Sequence, residues 1–133
     1  MKKTFINRAR QIKRAFGVKL HVSESLQQHV VNTLAIMPDD IVDHITSDCW
    51  FLGSVDDASA YTIRGDELGG KYLIILSDRL LDQSPADIQY TIVHEIGHVV
   101  LGHRNAILAP QSKREIARQE RLAHKFAMKY VSD

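Results

Sequence analysis

Cysteine is all but missing from this sequence. Cys49 is the single one in 133 residues, so no disulfide can close within the chain, and stability must come from core packing, with or without a metal. Proline is scarce at 3 and glycine at 7, which removes collagen-like and low-complexity classes. Long apolar runs are absent too. No stretch approaches the roughly 20 residues that a membrane-spanning helix needs. The basic N-terminus also lacks the apolar core and small-residue cleavage site of a signal peptide. The expectation is a cytoplasmic protein with no membrane partner. Residues 1–19 contain no acid at all.

What is present is ordinary for a packed chain: 44% hydrophobic and 25% charged residues. Residues 1–133 make about one domain, able to bury roughly two thirds of its unfolded surface. The net charge of +1 conceals a pattern. Residues 1–19 carry seven bases for +7, residues 20–103 set 13 acids against three bases for −10, and residues 104–133 return +4 from seven bases and three acids. Basic ends around an acidic middle are expected to pair within the domain; guidance of an acidic partner is the alternative.

Phe5, Ala9, Ile12 and Phe16 fall on one helical face, with Arg8, Arg10, Lys13 and Arg14 around the rest and Gly17 as a stop. Residues 1–19 therefore form a basic amphipathic helix docked on the domain, with nucleic-acid or anionic-membrane contact as the sharper, less favoured reading. Ser23 is placed to cap a second helix that breaks at Pro38, while residues 39–48 fit either a short helix or a turn. Cys49 to Val55, Ser59 to Arg64 and Lys71 to Ser77 are short, β-branched or aromatic, and separated by Asp- and Gly-bearing turns. They are three strand candidates, and the last is apolar enough to belong inside a sheet with both faces covered. Ser84-Pro85-Ala86-Asp87 starts a helix that Gly102 stops, and Ser112-Lys113-Arg114-Glu115 starts another reaching about Val131. The predicted fold class is α+β: N-terminal helices, a three-stranded, mostly antiparallel sheet, then two helices.

The penultimate helix contains His94-Glu95-Ile96-Gly97-His98. At about 100° per residue, positions i and i+4 lie roughly 40° apart, so two imidazoles can share one metal ion while Glu95 sits beside them as a base. Zinc suits imidazole nitrogen and carboxylate oxygen, and a catalytic site uses three protein ligands. Gly97 costs about 0.5–1 kcal/mol against alanine mid-helix, so close approach of a neighbour is expected there. Four residues are candidates for the third ligand: His103, Glu115, Glu120 and His124. Glu120 lies at the edge of the apolar stripe of Ile116, Ala123, Ala127 and Tyr130, where a carboxylate needs a counter-charge. His124 sits nearer the flank, placed for a supporting hydrogen bond, and His103 lies beyond Gly102 as a plain helix-terminal residue. The metzincin pattern HExxHxxGxxH is excluded, because Leu101 and Arg104 occupy its glycine and third-histidine positions.

The run His94 to His103, followed by Glu120-Arg121-Leu122-Ala123-His124-Lys125-Phe126-Ala127, resembles the ImmA/IrrE group of small gluzincin-like zinc metallopeptidases. Their zinc helix commonly has the form HExGHxxxxH, and their third ligand comes from an ExxAxxFA-like segment. The likeness spans roughly residues 72–131. It implies a small gluzincin-like metallopeptidase domain with Zn2+ on His94, His98 and Glu120 and with Glu95 as general base. His124 departs from the family, which usually carries Asn or Asp at that place. The resemblance also implies a protein substrate that is an intracellular regulator, such as a helix-turn-helix transcriptional repressor. Tyr61, His103, His124 and Tyr130 are candidate donors to the oxyanion. A catalytically silent zinc-binding regulatory or interaction module is the competing expectation, and it predicts bound metal without proteolysis.

Overall fold

The computed structural model describes residues 2–54, 60–64, 69–103 and 111–131. Among them are five α-helices, α1 (Lys2–Phe16), α2 (Glu24–Ala35), α3 (Asp39–Asp48), α4 (Pro85–Val100) and α5 (Lys113–Ala127). Four strands accompany them: β1 (Leu20–His21), β2 (Cys49–Ser54), β3 (Ala60–Arg64) and β4 (Tyr72–Ser77). The fold is α+β, and no described helix is long and apolar enough to cross a membrane.

Local chemistry sets the boundaries. α1 buries Ala9, Ile12 and Phe16, while Phe5, at the outer end of the same stripe, stays 38% exposed. Gly17 ends the helix at φ +58°, a left-handed conformation that costs glycine nothing. Ser23 caps α2 by accepting a hydrogen bond from the Leu26 amide. Residues 39–48, open between helix and turn in the sequence, are the helix α3, whose Asp39 and Asp40 complement the positive end of its dipole. Of the expected charge pairing between the ends and the middle, the described residues show one ion pair: Arg8 binds Asp39 at 2.7 Å and also donates to the carbonyls of Met37 and Ala35.

The sheet differs from the predicted one. It has four strands in the order β1-β2-β4-β3, and only β3–β4 is antiparallel; β1–β2 and β2–β4 are parallel. Helices α2 and α3 form the crossover that returns β2 parallel to β1. β3 runs back against β4, but β4 inserts between β2 and β3, an order with the same turn signals as a meander. β1 is two residues long and escapes any periodicity argument. The expectation that β4 is covered on both faces holds on one: Tyr72, Ile74 and Leu76 are buried, whereas Leu73 and Ile75 are half-buried.

A continuous core joins all five helices to the sheet. Phe16 of α1 meets Phe51 of β2 edge to face at 5.4 Å between centroids, and Leu26, Leu34, Ile45, Ile74, Ile92 and Ile96 are fully buried. Each such side chain contributes about 1.5–3 kcal/mol through its removal from water. α4 lies in the middle of this core, packed on α2, α3, α5 and β3, so the motif it carries is rigidly mounted.

Candidate metal centre

Capping and packing set the two helices that build the site. Ser84 accepts from the Asp87 amide at 3.2 Å and Pro85 occupies the first turn of α4; Ser112 does the same for α5 through the Glu115 amide at 3.1 Å. They approach closely at Gly97. A Cβ there would lie 2.9 Å from Cδ1 and 3.3 Å from Cγ of Phe126, nearer than a side chain can sit. The glycine is thus explained by the contact between α4 and α5, the close approach expected there.

That approach brings Glu120 to the histidines. Its Oε2 lies 3.1 Å from His94 Nε2 and its Oε1 3.1 Å from His98 Nε2, one oxygen per imidazole. One ligand atom from each of the three residues falls within 4.8 Å of the others, a grouping able to hold a metal ion. The chemistry fits as well. Metal–ligand bonds of about 2.0–2.1 Å in a tetrahedron separate neighbouring ligand atoms by roughly 3.3 Å; the two carboxylate contacts at 3.1 Å are near that value, each through a different oxygen, while one atom from each residue spans up to 4.8 Å. Glu120 is not the core-facing carboxylate expected from its helical stripe: 53% of its side chain is accessible, so burial does not demand a counter-charge, and its place beside two imidazoles is what marks it as a ligand candidate.

No protein-family model, curated protein or solved structure matches the chain.

Glu95 sits below the ligand cluster, its side chain only 6% exposed, with Oε2 3.6 Å from His94 Nδ1. That oxygen has no hydrogen-bond partner among the described residues. Gln111 Oε1 shares this condition, and both residues line the same cavity of about 270 Å³ as His94, His98 and Glu120. Two such acceptors facing one cleft mark a place that favours a bound donor. Burial works against the charged form of His94, but the Glu95 and Glu120 carboxylates outweigh it and raise its proton affinity above the ordinary value. Burial, aided by the neighbouring histidines, pushes the pKa of His98 down to about 4, so at neutral pH the ring is the neutral imidazole, with one nitrogen protonated and the other carrying a lone pair.

The other candidates have different partners. Glu115 receives the Arg118 guanidinium at 2.7 and 3.0 Å and does not line the cavity. His124 bonds through Nδ1 to the Tyr90 hydroxyl rather than to one of the three clustered side chains, and it does not line the cavity. Tyr130 packs at a tilt against Phe126 and is also off the cavity, and the side chain of Tyr61 lies outside the described residues. His103 is no plain terminal residue: it lines the cavity and its Nδ1 lies 2.9 Å from His98 Nδ1. Tyr90, four residues before His94 and so on its face of α4, was findable by helical spacing. Gln111 and Thr62, which also line the cleft, had no such signal.

Proposed function

We propose that this chain is a zinc-dependent peptidase that hydrolyses a peptide bond, with His94, His98 and Glu120 holding the ion and Glu95 as general base. The observation that carries the reading is the convergence of two imidazoles and one carboxylate from separate helices beside a buried, unpartnered carboxylate oxygen. Bound zinc supplies Lewis-acid polarisation of the scissile carbonyl and acidifies a water molecule at the site. Glu95 accepts a proton from that water through its orphaned Oε2 as the oxygen adds to the carbonyl carbon. It then delivers the proton to the departing amine nitrogen, so the carboxylate is regenerated when the C–N bond breaks. Its burial keeps the proton from escaping to bulk solvent.

Among the described residues β3 is an edge strand, and its Ala60 and Thr62 line the cleft. An extended substrate adding to this edge would lay its backbone across the ligand cluster, using main-chain hydrogen bonds for affinity. The substrate proposed is a regulatory protein of the transcriptional-repressor type, a class suggested by the ImmA/IrrE resemblance and suited by its basic character to the acidic middle of this chain.

Glu95→Gln tests the reading. With a panel of helix-turn-helix repressor proteins as substrates, analysed by mass spectrometry, the zinc-loaded wild type should cut at least one and the variant none, with zinc content near one per chain in both. Zinc in both and cleavage by neither would instead leave the silent zinc-binding module.

A further inference from the structure

His103 follows the glycine that stops the zinc helix, and the backbone carries it back over His98. Gly102 adopts φ +70°, its amide donates to the Val99 carbonyl at 3.0 Å, and the His103 amide donates to the His98 carbonyl at 2.9 Å. These two bonds are a Schellman closure, in which the second residue past the helix end is set against the residue three positions inside it. An apolar contact usually accompanies that juxtaposition. Here two imidazoles occupy it, with ring centroids 5.1 Å apart and Nδ1 to Nδ1 at 2.9 Å. His103 is only 7% exposed and His98 8%, so water competes little for this bond.

We propose that His103 is a positioning residue for the metal site: its Nδ1 accepts a hydrogen bond from the Nδ1–H of His98 and thereby aims the His98 Nε2 lone pair at the ion. The proposal rests on the metal-binding reading above. Two Nδ1 atoms at this separation share one proton, so one ring donates and the other accepts. If His103 donated, a neutral His98 would carry its proton on Nε2, pointed at Glu120 Oε1, with no lone pair for a metal. A cation on His98 Nε2 requires the proton on Nδ1, which makes His98 the donor and leaves His103 with its own proton on Nε2. Occupation of the site therefore fixes two tautomers. Ligating histidines usually direct their second N–H to a carboxylate, a backbone carbonyl or water. A neutral imidazole as acceptor fixes the ring's angle without adding a further negative charge to a site that already holds Glu95 and Glu120.

Three forms of the protein test this. Zinc affinity is measured by competition with a chromophoric chelator, and melting temperature on the EDTA-stripped protein, for wild type, His103→Leu and His103→Asn. Leucine preserves the apolar packing that a Schellman closure prefers but cannot accept a hydrogen bond; asparagine can, through Oδ1. His103→Leu should melt near the stripped wild type yet bind zinc about 10- to 100-fold more weakly, and His103→Asn should recover most of that loss. Long-range nitrogen NMR of the zinc-loaded wild type, which needs no variant to fold, should find His98 protonated on Nδ1 and His103 on Nε2. Wild-type zinc affinity in His103→Leu, or a proton on His103 Nδ1 in the loaded protein, overturns the positioning role while leaving the zinc site intact. A wild type that binds no zinc overturns the site itself.

Discussion

Replacing Gly97 by alanine tests whether the contact between α4 and α5 is what assembles the ligands. The new methyl would stand 2.9 Å from Phe126 Cδ1, 3.3 Å from Cγ and 3.4 Å from Cβ. Because Cβ and Cγ lie close to the α5 backbone, rotating the ring cannot relieve all three contacts, and Phe126 is buried at 7% exposure. Overpacking of this kind costs about 1–3 kcal/mol, while alanine returns about 0.5–1 kcal/mol of helix propensity. The net expectation is a loss on the order of 1–2 kcal/mol, or roughly 3–10 °C in the melting temperature of the stripped protein. Zinc affinity should fall by about tenfold or more, since Glu120 rides on the displaced helix and ligand geometry tolerates only about 0.5 Å. Thermal melts in EDTA and chelator competition measure the two effects separately. A Gly97→Ala protein that melts higher than wild type and binds zinc equally well would refute the reasoning.

Glu120→Ala should leave the EDTA-stripped melting temperature within a few degrees of wild type, because the side chain is half exposed. It should abolish the stabilisation that zinc confers, about 2.7 kcal/mol for wild type at a hundredfold excess over Kd; calorimetry with and without zinc checks both. Ser84→Ala removes the acceptor for the Asp87 amide at the start of α4 and should cost about 0.5–2 kcal/mol by urea denaturation. In the stripped protein the depressed pKa of His98 lowers stability as pH falls from its ordinary 6.5 toward about 4, because the unfolded chain takes up the proton first. His94, whose proton affinity is raised, acts in the opposite sense, stabilising at low pH and losing that contribution as pH rises. His98→Gln should therefore flatten the acid arm of the urea midpoint against pH, and His94→Gln should steepen it.

Much of the fold was legible because its signals are local. The start of α4 is spelled by Ser84, Pro85 and Asp87, that of α5 by Ser112 and Glu115, and the bounds of β2, β3 and β4 fall within a residue or so of those the β-branched runs suggest. Sheet order was not legible. Insertion of β4 between β2 and β3 depends on long-range pairing such as Phe51 with Ile74, which leaves no trace in the turns. α3 was ambiguous because ten residues with two acids at the start serve a helix and a turn alike. At the site, the spacing of His94 and His98 is set by one helix and is readable from sequence alone. The placement of Glu120 depends on how α5 lies across α4, and an orientation on its own helix had to stand in for that crossing. The role of His103 was missed because a helical wheel stops at the helix end, whereas Gly102 folds the next residue back over the one that matters.

X-ray absorption at the zinc edge, combined with metal content, tests the central claim most directly. The account predicts one zinc per wild-type chain, bound by two imidazole nitrogens and a carboxylate oxygen, with the ion lost or its protein-oxygen ligand missing in Glu120→Ala. A wild type without zinc, or a spectrum unchanged by Glu120→Ala, would contradict it.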